Sequence, residues 1–96
     1  MEKKEVKYVL RLYITGANIN SIKAVSNIKQ ICEEYLQGDY TLEIVDVYQQ
    51  KNMAEKEQII ALPLLIKKLP LPERRLIGDF SDTARVLKGL GFVISM

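Results

Sequence analysis

Cys32 is the only thiol in the chain, so any nucleophilic or redox chemistry would rest on it. A reactive thiol needs a helix N-terminus or a neighbouring cation to hold the thiolate. The second candidate group is basic: Lys67, Lys68, Arg74 and Arg75 bracket a proline-rich turn. Brought together, they would offer charge-assisted hydrogen bonds to phosphate or to an acidic protein surface. The opposing expectation is a solvated strand edge whose cations resist edge pairing. Glu33, Glu34 and Glu43 show no pairing for acid–base work, and Asp79 and Asp82 read as turn and helix-start residues. Histidine is absent, which removes the commonest general base and metal ligand. Gly16 belongs to no Gly-x-Gly pattern and to no Walker loop, so a phosphate cradle is not expected. Catalytic, cofactor-binding and metal-binding residues are all expected to be none.

The elements that would position these groups follow from periodicity. Val6 to Thr15 alternates, with Tyr8, Leu10, Leu12 and Ile14 on one face, as in a strand. Val9 and Tyr13 on the other face suggest a central strand. A helix is predicted from Asn20 or Ser21 as N-cap. Its apolar stripe is Ala24, Ile28, Ile31, Cys32, Tyr35 and Leu36, and Gly38 lies just beyond. Cys32 on that stripe reads as a small core residue. Tyr40 to Val47 is a second strand, connected by a parallel crossover.

Asn52 and Glu55 have the spacing of a capping box for a short second helix. Pro63 is expected to end that helix by restricting Leu62. Leu64 to Leu69 and Leu76 to Phe80 predict an antiparallel hairpin. Ser81 is expected to cap a last helix carrying Ala84, Val86, Leu87 and Leu90. Gly89 and Gly91 weaken its end, each interior glycine costing about 1 kcal/mol against alanine. The order βαβ, short helix, hairpin, helix predicts an α/β thioredoxin-like domain with a mixed four-stranded sheet. A ferredoxin-like plait is the structural competitor. The whole chain, residues 1–96, is expected to form a single domain.

Bulk properties narrow the classes. A net charge of +2, with 48% hydrophobic and 27% charged residues, describes a globular protein and argues against a nucleic-acid binder. One cysteine and no secretory leader predict a cytoplasmic location. No apolar run approaches the roughly 20 residues needed to span a bilayer, so no membrane association is expected.

Several segments together resemble the KaiB family. They are Leu10-Arg11-Leu12-Tyr13-Ile14-Thr15-Gly16, Asn20-Ser21, Ile44-Val45-Asp46-Val47, Ala54-Glu55, Ala61-Leu62-Pro63, the proline-rich turn, and Arg74-Arg75-Leu76-Ile77-Gly78-Asp79. The resemblance runs from about Tyr8 to Leu90. It implies a non-enzymatic regulatory protein that binds a KaiC-like ATPase and modulates its phosphorylation and ATPase cycle. It further implies a histidine kinase, or self-association as dimer or tetramer, among the partners. It implies a switch between the thioredoxin-like form and a self-associated form of order βαββααβ. On this resemblance Lys23, Glu43, Lys67, Arg74 and Arg75 are the partner-binding candidates. Pro63, Pro70, Pro72 and Gly89 are the fold-control candidates; separately, the thioredoxin-like fold implies a cis bond before Pro63. Three features depart from the family pattern: Leu71 within the proline turn with Glu73 after it, Gly91 at an often acidic position, and no acidic tail before Met96. A non-clock thioredoxin-like binding protein in stress signalling is the alternative. A Cys32 redox protein and a phosphate or nucleic-acid module stand behind it.

Overall fold

The computed structural model describes residues 7–16, 18–59 and 61–92. Its elements are β1 (Tyr8–Ile14), α1 (Ile19–Tyr35), β2 (Tyr40–Asp46), α2 (Lys51–Lys56), β3 (Leu64–Leu69), β4 (Arg74–Ile77) and α3 (Thr83–Gly89). The sheet order is β2-β1-β3-β4. β2 runs parallel to β1, while β3 is antiparallel to both β1 and β4. This is the thioredoxin-like mixed sheet that the element order predicts. Val6, the expected first residue of β1, lies outside the described residues.

Alternation divides the core in two, because successive strand side chains face opposite ways. One face buries Leu10, Leu12 and Leu65 against Ala24, Ile28 and Cys32 of α1 and Val86 and Leu87 of α3. The other gathers Tyr13, Val45, Leu64 and Ile66 under Met53 of α2 and the following Ile59. β1 therefore contributes to both, as the apolar residues on its two faces predict.

Helix ends differ from the sequence expectations in instructive ways. Asn18, not Asn20 or Ser21, caps α1: its Oδ1 accepts from Ser21 N at 2.8 Å. Ser21 is instead buried, and its hydroxyl accepts from Thr15 N at 3.2 Å. The Asn52–Glu55 capping box does not form. Gln50 occupies the N-cap of α2 without a side-chain bond, and both expected cap residues lie inside the helix. α2 also ends well before Pro63. Gln58 adopts a left-handed φ of 53°, Ile59 N donates to Ala54 O, and Gln58 N donates to Glu55 O. That pair of bonds is a Schellman stop. Asp82, not Ser81, caps α3, with Oδ1 accepting from Arg85 N at 3.1 Å.

The second hairpin strand is Arg74–Ile77 rather than Leu76–Phe80. Gly78 (φ 135°) leaves the ladder, and Phe80 turns into the core with φ 61°. The Leu62–Pro63 peptide is cis, as expected, and so are Leu69–Pro70 and Leu71–Pro72.

Candidate interaction site

The sheet register separates the basic group that the sequence places together. One row of cross-strand partners runs Glu43, Arg11, Ile66, Arg75 from β2 to β4. The next runs Leu42, Leu10, Lys67, Arg74. Cross-strand partners share a face. Arg75 therefore lies with Ile66 on the α2 side, and Arg74 lies with Lys67 on the α1/α3 side. A register irregularity between Val9 and Leu10 leaves Lys68 as an extra residue opposite β1. Such a bulge redirects its side chain.

On the α2 side the charges form one network. Arg11 Nε donates to Glu43 Oε1 at 2.8 Å, and its Nη1 reaches Glu57 at 3.5 Å. Lys68 pairs with Glu57 and, at 3.2 Å, with Glu73. Arg75 Nη2 donates to the Glu57 carbonyl at 2.6 Å and lies 3.4 Å from its carboxylate. Three cations meet three carboxylates, so this face is locally neutral. The Lys68 hydrogen bond, followed by the charges of Lys68, Arg11 and Arg75, holds the Glu57 carboxyl below its ordinary pKa against a smaller opposing effect of burial.

The expected partner-binding residues do not make one patch. Glu43 and Arg75 belong to the neutral network. Lys67 is buried, whereas Arg74 is exposed. Lys23 is exposed on α1, close enough to Asp79 for its charge to help lower that carboxyl's pKa, the larger cause being hydrogen bonds from Ser81. Among the expected fold-control residues, Pro63 is buried, Pro70 is half-buried and Pro72 is exposed, both of the latter in the hairpin turn. Gly89 closes α3 directly over Leu76: a Cβ there would lie 2.5 Å from Leu76 Cδ2.

The sequence did not mark the apolar surface at the start of α1. Ile19 and Ile22 are 68% and 58% exposed. Beside them an open hollow is lined by Ile14, Gly16, Ser21, Val25 and Lys29. Neither isoleucine belongs to the buried stripe, and that exclusion was the available signal. β2, the outer strand on this side of the sheet, exposes Thr41 and Glu43. Glu57 was also missed, because a lone acid after a helix carries no pattern.

A thioredoxin enzyme would place a thiol where Asn18 caps α1. Cys32 instead sits 1% exposed in the core. Burial, with a smaller contribution from Glu33, pushes its thiol up to about 12. Among the described residues no group of three or more potential ligands could hold a metal ion. None of their helices is long and apolar enough to cross a membrane.

The KaiB domain model matches residues 11–92. The chain belongs to the KaiB family. It is 51% identical over 87 residues to the circadian clock protein KaiB3 of Synechocystis, covering 91% of this chain and 85% of that protein. It is 46% identical over 90 residues to the circadian clock oscillator protein KaiB of Nostoc, covering 94% and 83%. Among solved structures, the N-terminal domain of Synechococcus elongatus SasA superposes with a TM-score of 0.70 at 19% identity, covering 100% of this chain and 94% of that one. Mitochondrial thioredoxin 3 of Saccharomyces cerevisiae gives 0.72 at 13% identity, covering 93% and 82%. These two likenesses establish the thioredoxin-like fold.

Proposed function

We propose that this chain acts as a single non-catalytic domain that docks onto a KaiC-like ATPase and modulates its phosphorylation and ATPase cycle. The observation that carries the reading is the fate of the thioredoxin site in a KaiB-family chain. Its helix start is closed by Asn18, while the thiol is buried and protonated at neutral pH. A scaffold in that condition is suited to binding rather than to exchange chemistry.

The docking surface is the β2 edge together with the first turns of α1. Among the described residues no strand pairs with the outer edge of β2, which leaves backbone groups for an incoming partner. Ile19 and Ile22 add apolar area at the start of α1, and Glu43 of β2, although paired with Arg11, keeps its carboxylate half exposed; Lys23 lies towards Asp79, beyond the opposite edge of the sheet. The basic hairpin is the lesser surface, since Lys68 and Arg75 are already paired. The family's self-associated fold, with Pro63, Pro70, Pro72 and Gly89 as its controlling residues, belongs to this proposal. So do a histidine-kinase partner and a cytoplasmic location.

Size-exclusion chromatography of the chain with the KaiC-like ATPase of the same organism tests the reading. Incubation for hours allows a slow conformational step. Co-elution that Ile22→Asp weakens at least tenfold is the expected result. Separate elution at all times and temperatures would remove the assignment.

A further inference from the structure

We propose that Lys67 and Arg74 form a binding site for a single oxyanion, a phosphate or a carboxylate group. The five basic side chains borne by the three strands β1, β3 and β4 divide by face. Arg11, Lys68 and Arg75 all have carboxylate partners on the α2 side. Lys67 and Arg74 face the α1/α3 side as direct cross-strand partners. Among the described residues, neither has an ion-pair partner.

Lys67 is the unusual member. It is 4% exposed and continues a row whose other inner members are Leu42 and Leu10. An uncompensated cation in such a place is costly. The C-terminus of α3 does not supply its counter-charge through hydrogen bonds. Leu90 N donates to Val86 O, Gly91 N to Lys88 O and Phe92 N to Leu87 O. Lys67 has no hydrogen bond to any of these carbonyls among the described residues.

The ammonium is nonetheless reachable. It lies beside Gly91, which is itself exposed. A Cβ built there would find Lys67 Nζ at 3.9 Å and no other non-neighbouring atom within 4 Å. A shielded ammonium beside an exposed glycine and an exposed guanidinium thus occur together. Burial lowers the pKa of Lys67, and Arg74 lowers it further, so an anion bound between them would relieve both effects. An ammonium and a guanidinium fork suit one small oxyanion with several acceptor atoms. An extended polyanion would need a wider basic surface, and the neutral network on the other face does not provide one.

The site is distinct from the β2–α1 docking surface. Its failure would leave the docking proposal standing, and chromatography with the ATPase reads the latter separately. The test is a backbone-amide NMR titration of the full chain at neutral pH. Sodium phosphate and sodium acetate are added in separate arms, with sodium chloride at matched ionic strength as the control. The proposal expects saturable shifts at Lys67, Arg74 and Gly91 in at least one oxyanion arm, with a Kd on the order of millimolar for such small probes. Saturation at lower concentration in one arm identifies phosphate or carboxylate as the preferred group. Lys67→Met and Arg74→Gln should each weaken binding about tenfold, whereas Lys67→Arg should retain it. Shifts no larger than chloride produces, or saturation unchanged in Lys67→Met with its spectrum otherwise folded, would overturn the site.

Discussion

Lys67 and Lys68 are neighbours in sequence and face opposite sides of the sheet. Lys67 pairs across β4 with Arg74 and is buried, while Lys68 reaches Glu57 and Glu73. One basic dipeptide therefore serves a neutral, interlocked face and, on the other side, a cation with no ion-pair partner among the described residues. Four expectations follow from this arrangement and from the closed thiol.

Glu57 connects Arg11, Lys68 and Arg75. Glu57→Gln should lower stability by about 1 kcal/mol at neutral pH, since partly exposed networks contribute little more than that. The folded carboxyl is held below its ordinary pKa. Its contribution is therefore present above the ordinary carboxylate value and is lost as pH falls through the depressed one. Urea unfolding should show the two proteins apart at pH 7 and the gap narrowing at a pH well below the ordinary carboxylate range. An equal gap at both pH values would contradict the role.

Lys67→Met should stabilise the chain by about 1 kcal/mol in phosphate-free buffer, because it removes a largely shielded charge that has no ion-pair partner among the described residues. The folded Lys67 pKa is lowered, chiefly by burial. Wild-type stability should consequently rise as pH increases from that depressed value towards the ordinary lysine value. The variant should lack this rise. Thermal melts between pH 7 and pH 10 make the comparison.

Cys32 should resist thiol reagents in the folded protein, with its thiol pushed up to about 12. Ellman's reagent at pH 7 should react at least a hundredfold faster after addition of denaturant. Rapid reaction of the native chain would revive a redox role.

Gly91 holds φ at 98° to complete the stop of α3. Gly91→Ala should cost about 1–2 kcal/mol, because an L side chain is strained in that conformation. A Cβ there would make only an ordinary contact, with Lys67 Nζ at 3.9 Å, so the loss would reflect backbone rather than crowding. A denaturation midpoint equal to wild type would refute this.

The strand–helix order was legible because periodicity survives in every long element. Leu64–Leu69 matched residue for residue, and the Cys32 stripe marked the buried side of α1. Helix ends were less legible. Asn18, Asn20 and Ser21 are all competent caps, and the choice fell to the Thr15 contacts that bury Ser21. The end of β4 was obscured because Leu76 through Phe80 reads as apolar, while Gly78 and Phe80 both adopt positive φ. At the candidate site, the basic residues were visible but their faces were not. The bulge at Lys68 and the reach of Glu57 across the sheet are properties of register, which no local pattern encodes.

The most direct test of docking without catalysis is ATP hydrolysis by the KaiC-like ATPase with and without this chain. The two proteins are pre-incubated for hours, and the chain alone is assayed in parallel. The account predicts a saturable change in the ATPase rate at stoichiometric chain, and no turnover by the chain itself. Superimposable rates with and without the chain, or hydrolysis by the chain alone, would contradict it.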